Sequence, residues 1–526
     1  MFIQEIKKKT KNKVYSYPVL MENYREGGKV KHRILANLSK WPQKLIEDFD
    51  KLLKGQVITD ISDLEIRQGK SIGGIFVVSR IAKRLGISQA LGTSMQAKLT
   101  MIQIASRVLN QGSRLYISKE WKNVAALEEV FKIKDFDHHD LYQNLLWLSQ
   151  NQEKIEKKLF EFRHPNKKIS QIFFYDITSS YLEGDKNELA AYGYNRDKKQ
   201  GKKQIVIGLM TDGEGYPISV EVFNGNKADM KTVSDQLKKL KENFGVEQVV
   251  FVGDKGMIKS AQISEIEDYK WYYLTSITKE QIKKLISEKV LSIDLFSQKV
   301  FEVKSEAGIR YILHRNPYRA EAIRENRESK ISKIKSIIEQ ENEYLQEHKR
   351  AKVETALKRI TQKIERLGLE AFLIVKPEGR KIELEIDEAA LERKSMLDGC
   401  YVIKTNAPSE SLDTETAHAR YKDLSKVEFA FRTMKTTFEE VRPVYVRKEG
   451  TTRGHVFVAM LAYIIIKYVT EALQELEMSR KHIFDVLDKI NYLEYEFRGE
   501  VIKMLPKKLL PEQEAILKKL NVKLKV

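Results

Sequence analysis

The sequence predicts an α/β fold carrying a helical interruption, and three observations lead there. From residue 171 onward, short apolar runs rich in Val, Ile, Phe and Tyr alternate with segments of helical period. Two of those runs, 171–178 and 248–254, carry an aspartate toward their C-terminal ends. Beyond them, the chain from Ala320 to Leu367 contains neither Gly nor Pro and repeats its apolar residues at helical intervals.

Residues 1–165 are expected to form an N-terminal DNA-binding or dimerisation region. Two β-like runs, 14–20 and 30–35, flank a Gly27-Gly28 turn, and through Lys44 the chain holds 11 basic residues against 3 acidic. Amphipathic helical patterns follow to about Phe162, with 100–109 among them. A basic, mostly helical region of this kind suits a grip on DNA and equally a packing surface.

Residues 166–300 read as the first part of a core. Strands are expected at 171–178, 204–210 and 218–223, the last two joined by a turn containing Asp212-Gly213. A helix over 231–244 buries Val233, Leu237 and Leu240; a strand at 248–254, a short helix at 260–269 and a strand at 271–275 complete it. Three antiparallel strands followed by parallel crossovers are the ribonuclease H-like topology, a mixed five-stranded sheet with helices. Chemistry in such open sheets gathers at strand carboxyl ends, where both aspartates fall.

Residues 301–395 are expected to interrupt this core. Ile331, Ile334, Ile338 and Leu345, then the heptad seam Val353, Leu357, Ile360, Ile364 and Leu367, predict one long helix or a helical hairpin turning near Glu347–Arg350. A strand at 381–387 and a short helix follow. Residues 396–480 return to the core with a strand at 401–405 and a helix over 421–435, and 481–526 form a basic C-terminal region.

The chain has 526 residues and a net charge of +19, an excess that favours a polyanionic partner, nucleic acid first. Its longest apolar run, Val456 to Ile466, is 11 residues and reads as a buried helix, so no membrane partner is expected. The basic opening MFIQEIKKKTKNK has no apolar core and does not read as a secretory signal. Cys400 is the single cysteine, which excludes an intrachain disulfide and a Cys-based structural zinc site. The expected location is cytoplasmic and nucleoid-associated.

Asp176 and Asp254 should be brought side by side by the fold. Two carboxylates forced together repel unless a cation offsets them, and oxygen ligands with no Cys or His nearby select Mg²⁺ or Mn²⁺. Two such ions can activate a nucleophile on one side of a phosphodiester and stabilise the leaving oxygen on the other. The bland alternative is that each aspartate caps a turn. A third acid is offered by the 421–435 segment, whose apolar stripe is Leu424, Val427, Phe431 and Met434. Tyr421, Glu428 and Lys435 recur every seventh residue along one rim of that stripe; Glu428 and Arg432 also have the spacing of a solvated surface pair. Between Arg196 and Lys203, five of eight residues are basic (Arg196, Lys198, Lys199, Lys202 and Lys203), which suits a phosphate-contacting loop or a solvated charge run.

With these residues in place, the chain resembles the DDE transposases of bacterial insertion sequences, in the branch carrying a Tyr-x2-Arg-x3-Glu-x6-Lys signature. Tyr421, Glu428 and Lys435 match it, and Leu424 stands where the signature has arginine. The blocks Phe173–Thr178, Tyr192–Asp197, Gly225-Asn226, Val252–Gly256, Asp398-Gly399 and Arg453–His455 follow in the same order. The resemblance implies that Asp176, Asp254 and Glu428 hold two Mg²⁺ ions and that Tyr421 and Lys435 contact transposon-end DNA. It also implies terminal inverted repeats and target DNA as double-stranded partners, and a homodimer on paired ends. Two rival functions are a metal-dependent nuclease that cuts without joining and a domesticated, non-catalytic DNA-binding protein.

Overall fold

The computed structural model describes all residues except 11–12, 57–64, 166–170, 195, 197–198, 436–444, 498–499 and 525–526. By contacts the chain divides into two units, Met1–Ser71 with Ile490–Leu509, and Ile72–Lys489 with Leu510 onward. These bounds differ from the five-part division drawn from composition and pattern.

The first unit opens with an antiparallel sheet of β1 (Phe2–Thr10), β2 (Lys13–Glu26) and β3 (Lys29–Asn37). The Gly27-Gly28 turn joins the last two, both glycines at positive φ. β1 went unseen in the sequence because Lys7, Lys8 and Lys9 break the apolar alternation that marks a strand. A helix, Gln43–Leu53, and β4 (Glu65–Ser71) follow.

The second unit begins with helices, notably Met95–Leu109 and His138–Arg163, the latter started by an Asp137–Asp140 capping box. The sheet then runs through β5 (Gln171–Tyr181), β6 (Gln204–Thr211), β7 (Pro217–Asn224), β8 (Val249–Val252) and β9 (Tyr272–Ser276). β5 and β6 are buried along almost their whole length, as strands covered on both faces must be. The helical segment after β7 tightens into a 3₁₀ turn at Asp229–Thr232, continues as an α-helix over Val233–Lys239 and widens to a π-turn at Leu240–Phe244.

The sheet is wider than the expected five strands. β10 (Phe301–Lys304), β11 (Arg310–Arg315) and β14 (Cys400–Thr405) add to it, giving eight strands in the order β10-β11-β14-β9-β8-β5-β6-β7. Among the described residues, only the β5–β8 and β8–β9 pairs are parallel. The returning strand β14 pairs antiparallel with β9 (Ile403 opposite Ser276), and the β10–β11 hairpin covers the edge that β14 would leave bare. Residues 301–315, assigned by sequence to the interruption, therefore belong to the main sheet.

What remains of the interruption is a helical hairpin, Pro317–Glu347 and Val353–Leu367, followed by the β12–β13 hairpin (Leu373–Glu378 and Lys381–Ile386) and a short helix. Ile334, Ile338, Leu345, Ile360 and Ile364 form its core, the seam read from the heptads. Two helices, Thr414–Lys422 and Ser425–Lys435, then lead toward the 24-residue helix Glu449–Ala472. That helix is long and apolar enough to cross a membrane, and most of its apolar window is buried inside the protein. The helix Arg480–Asp488 follows; in the first unit, β15 (Asn491–Phe497) pairs with β4 on one side and with β16 (Glu500–Met504) on the other.

Candidate active site

The parallel pairing of β5 with β8 sets the relation between the two aspartates. Its last pair is Phe174 opposite Val252, so Asp176 and Asp254 each lie two residues beyond it, the first still on β5 and the second just past β8. Asp176 is not near the end of its strand, as the sequence suggested. β5 runs on to Tyr181, paired antiparallel with β6, and Asp176 lies opposite Leu209. Asp254 stands in the turn after β8, where its carbonyl accepts from the amides of Met257 and Ile258 at 2.9 and 3.1 Å. Its carboxylate also accepts from the Lys255 amide at 2.7 Å.

Glu428 comes from the helix Ser425–Lys435, whose buried side is Val427, Ala430, Phe431 and Met434. That helix does not reach back to Tyr421. The segment read as one helix is two, broken at Asp423-Leu424, where bonds tighten to three-residue spacing: Leu424 N to Tyr421 O, 3.2 Å, and Lys426 N to Asp423 O, 2.8 Å. Asp423 draws Arg420 and Lys426 to its carboxylate, both at 3.1 Å, and favours the turn. The seven-residue spacing therefore does not align Tyr421 with Glu428 along one helix. Leu424, at the arginine position of the signature, is a buried apolar residue.

Electrostatics links the three acids. Burial pushes the Asp176 carboxyl up to about 7, and the negative charges of Glu428 and Asp254 add to the shift. The Ile177 amide and the Arg196 guanidinium pull the other way without reversing it. Tyr421, from its separate helix, is half-buried with its hydroxyl against Asp254 and Ser276; burial and the Asp254 charge push the phenol up to about 12. Lys435 Nζ donates to Thr178 Oγ1 on β5 at 2.6 Å, tying the far end of the Glu428 helix to the strand that carries Asp176.

All-oxygen donors around a half-buried carboxylate suit a hard divalent cation. Among the described residues, the three carboxylates do not all lie within 4.8 Å of one another. The cluster that is so close, Asp137, His138 and His139, lies at the start of a helix, where Asp137 is spent on the capping box.

The basic residues sort into two groups. Arg196 is near Asp176, its backbone amide donating to Ser179 Oγ at 2.9 Å and its guanidinium to Asp229 at 2.7 Å. Arg432 joins Glu428, Phe429 and Arg480 around a cavity of about 430 Å³ beside the Glu428 helix. The others stay with partners in their own loop: Lys199 over the Tyr181 ring, Lys202 on Glu183 at 2.8 Å, Lys203 over Tyr192. Lys198 falls outside the described residues. Sequence reasoning missed Thr178 and Ser276, polar residues inside strands whose pattern marks them only as core.

Comparison with known proteins gives the family. A transposase DDE domain model matches residues 167–465, and the model of the IS1634 family transposase N-terminal domain matches residues 3–60. Among solved structures, the piggyBac transposase synaptic complex with hairpin DNA is similar with a TM-score of 0.34 and 11% identity, over 79% of this chain and 78% of that one. No curated protein matches the chain. Since the first family model spans more than half of the sequence, and the second its opening, the protein belongs to the DDE transposases of insertion sequences.

Proposed function

We propose that this transposase cuts DNA at the terminal inverted repeats of its own element and joins the freed ends to target DNA at a site made by Asp176, Asp254 and Glu428. Water breaks a P–O bond at the element end and leaves a 3′-hydroxyl; that hydroxyl attacks a target phosphodiester and releases a target 3′-hydroxyl. The observation that carries the assignment is the parallel β5–β8 pairing, which puts Asp176 and Asp254 each two residues beyond its last pair; burial and the charges of the other two acids push the Asp176 carboxyl up. A site that disfavours its own negative charge is one that a cation completes.

Asp176, Asp254 and Glu428 would hold two Mg²⁺ ions, with Mn²⁺ able to substitute. Bound there, the ions supply nucleophile activation and charge neutralisation at the leaving oxygen. The chain's own residues do the rest. Tyr421 holds the Asp254 carboxylate in orientation, Lys435 and Arg432 offer cations to the phosphate flanking the cut, and Arg196 offsets charge at Asp176. The five strands β7-β6-β5-β8-β9 are read as a ribonuclease H-like core, supported by their order and by the parallel pairs at its centre. The basic first region is read as a grip on the end DNA, and a homodimer as the form that pairs two ends.

The experiment is a joining assay. Purified protein, labelled end DNA, supercoiled target plasmid and Mg²⁺ should yield plasmid carrying the label. Free cut ends with no label in plasmid would leave a nuclease and overturn the proposal.

A further inference from the structure

Tyr421 and Glu428 stand on separate helices joined by the Asp423 turn, so an unbroken helical backbone does not carry the position of one to the other. The helix Thr414–Lys422 must be held by contacts of its own. At its start, Asp413 accepts from the Thr416 amide at 2.9 Å and Thr414 Oγ1 donates to Glu302 on β10 at 2.5 Å. At its middle, Ala417 and His418 are buried. His418 Nε2 lies 2.6 Å from the hydroxyl of Tyr401 on β14.

The rings around that bond form a continuous ladder. Tyr401 lies nearly parallel to His418, at 17° with centroids 5.9 Å apart, and packs on Tyr421 at 6.4 Å. His314 on β11 closes the other side, 4.6 Å from His418 and 5.2 Å from Tyr401. Burial, with the charges of Lys422 and His314, holds the His418 imidazole down to about 4, so near neutral pH the ring is uncharged and has a nitrogen lone pair to offer the phenol. Burial also keeps Tyr401 protonated as the donor. The neighbouring strand β9, with Ser276 opposite Ile403 of β14, brings Ser276 to the Tyr421 hydroxyl.

We propose that His418 and Tyr401 are positioning residues: their hydrogen bond pins the Tyr421 helix to β14 and thereby holds the Tyr421 hydroxyl against Asp254. The inference rests on the reading of Asp254 as a metal-holding acid. It assigns to a Tyr–His pair outside the signature the task that an unbroken helix would otherwise perform.

Two substitutions test it. Tyr401→Phe keeps the ring and removes the hydroxyl; His418→Gln keeps a polar group able to accept, where His418→Leu does not. Tyr401→Phe should slow cleavage of labelled end DNA roughly three- to ten-fold, as expected for a lost orienting hydrogen bond. It should raise the Mg²⁺ concentration needed for half the maximal rate and leave end-DNA affinity unchanged. In a Tyr421→Phe background the same substitution should cost nothing more, because both act through one hydroxyl. Amide exchange over 414–422 should quicken in Tyr401→Phe and His418→Leu, and less in His418→Gln. Additive losses in the double variant, or unchanged exchange in that helix, would overturn the proposal. A wild-type protein that cuts no DNA would count against the functional reading alone, and the exchange measurement would then decide the anchor.

Discussion

Asp176 is the residue on which the proposed chemistry turns, and its acidity can be tested without DNA. Its carboxyl is raised from 3.8 to about 7 in the fold, so between those values the folded chain keeps a proton that the unfolded chain releases. Stability from this group is therefore complete below pH 3.8 and is lost as pH rises through 7. At ~1.4 kcal/mol per unit, the loss by pH 8 is roughly 2–4 kcal/mol. In chelator, Asp176→Asn should melt higher than wild type at pH 8 and close to it at pH 4; an equal or lower Tm at pH 8 would contradict the burial and repulsion assigned here. The sequence made this carboxyl legible through its place in the apolar run 171–178. It could not give the neighbours that set its acidity, because Asp254, Glu428 and Arg196 meet it only in the folded sheet.

At the level of elements, helix and strand positions were readable where one apolar period dominated, and misread where side-chain hydrogen bonds decided the backbone. The heptad seam predicted one long helix or a hairpin, and the chain forms the hairpin. The 421–435 segment kept its apolar stripe, yet Asp423 broke the helix by gathering Arg420 and Lys426. Tyr421 nonetheless reaches Asp254, from a helix of its own. The Arg453–His455 block shows another kind of constraint. A Cβ on Gly454 would meet the Leu145 carbonyl oxygen at 2.1 Å, where the helix Glu449–Ala472 lies against the helix His138–Arg163. Next to it, His455 Nδ1 is 3.2 Å from the Arg114 guanidinium. Gly454→Ala should cost roughly 1–3 kcal/mol in urea unfolding through overpacking against backbone. Gly184→Ala, with nothing within 4 Å, should leave stability nearly unchanged. Equal stabilities for the two variants would refute the close helix contact.

Across the whole molecule, the charge of +19 and the order of strands pointed to a DNA-processing α/β enzyme, and the family matches agree. The width of the sheet was hidden. β11 carries Arg310, fully buried, with its guanidinium donating to Glu302 at 2.8 and 2.7 Å and to the carbonyls of Ala407 and Leu412 at 2.8 and 2.6 Å. A charged pair of this kind reads as surface in a sequence, although here it fastens the sheet edge to the segment leading into the Tyr421 helix. The central claim is that three acids, distant in sequence, make one metal-dependent site at the middle of that sheet. Nicking of end DNA by Asp176→Ala, Asp254→Ala and Glu428→Gln, measured across Mg²⁺ concentrations alongside end-DNA binding, tests it most directly. All three should bind DNA as wild type does and cut at none of the concentrations; wild-type nicking by any one of them would remove that acid from the site and contradict the account.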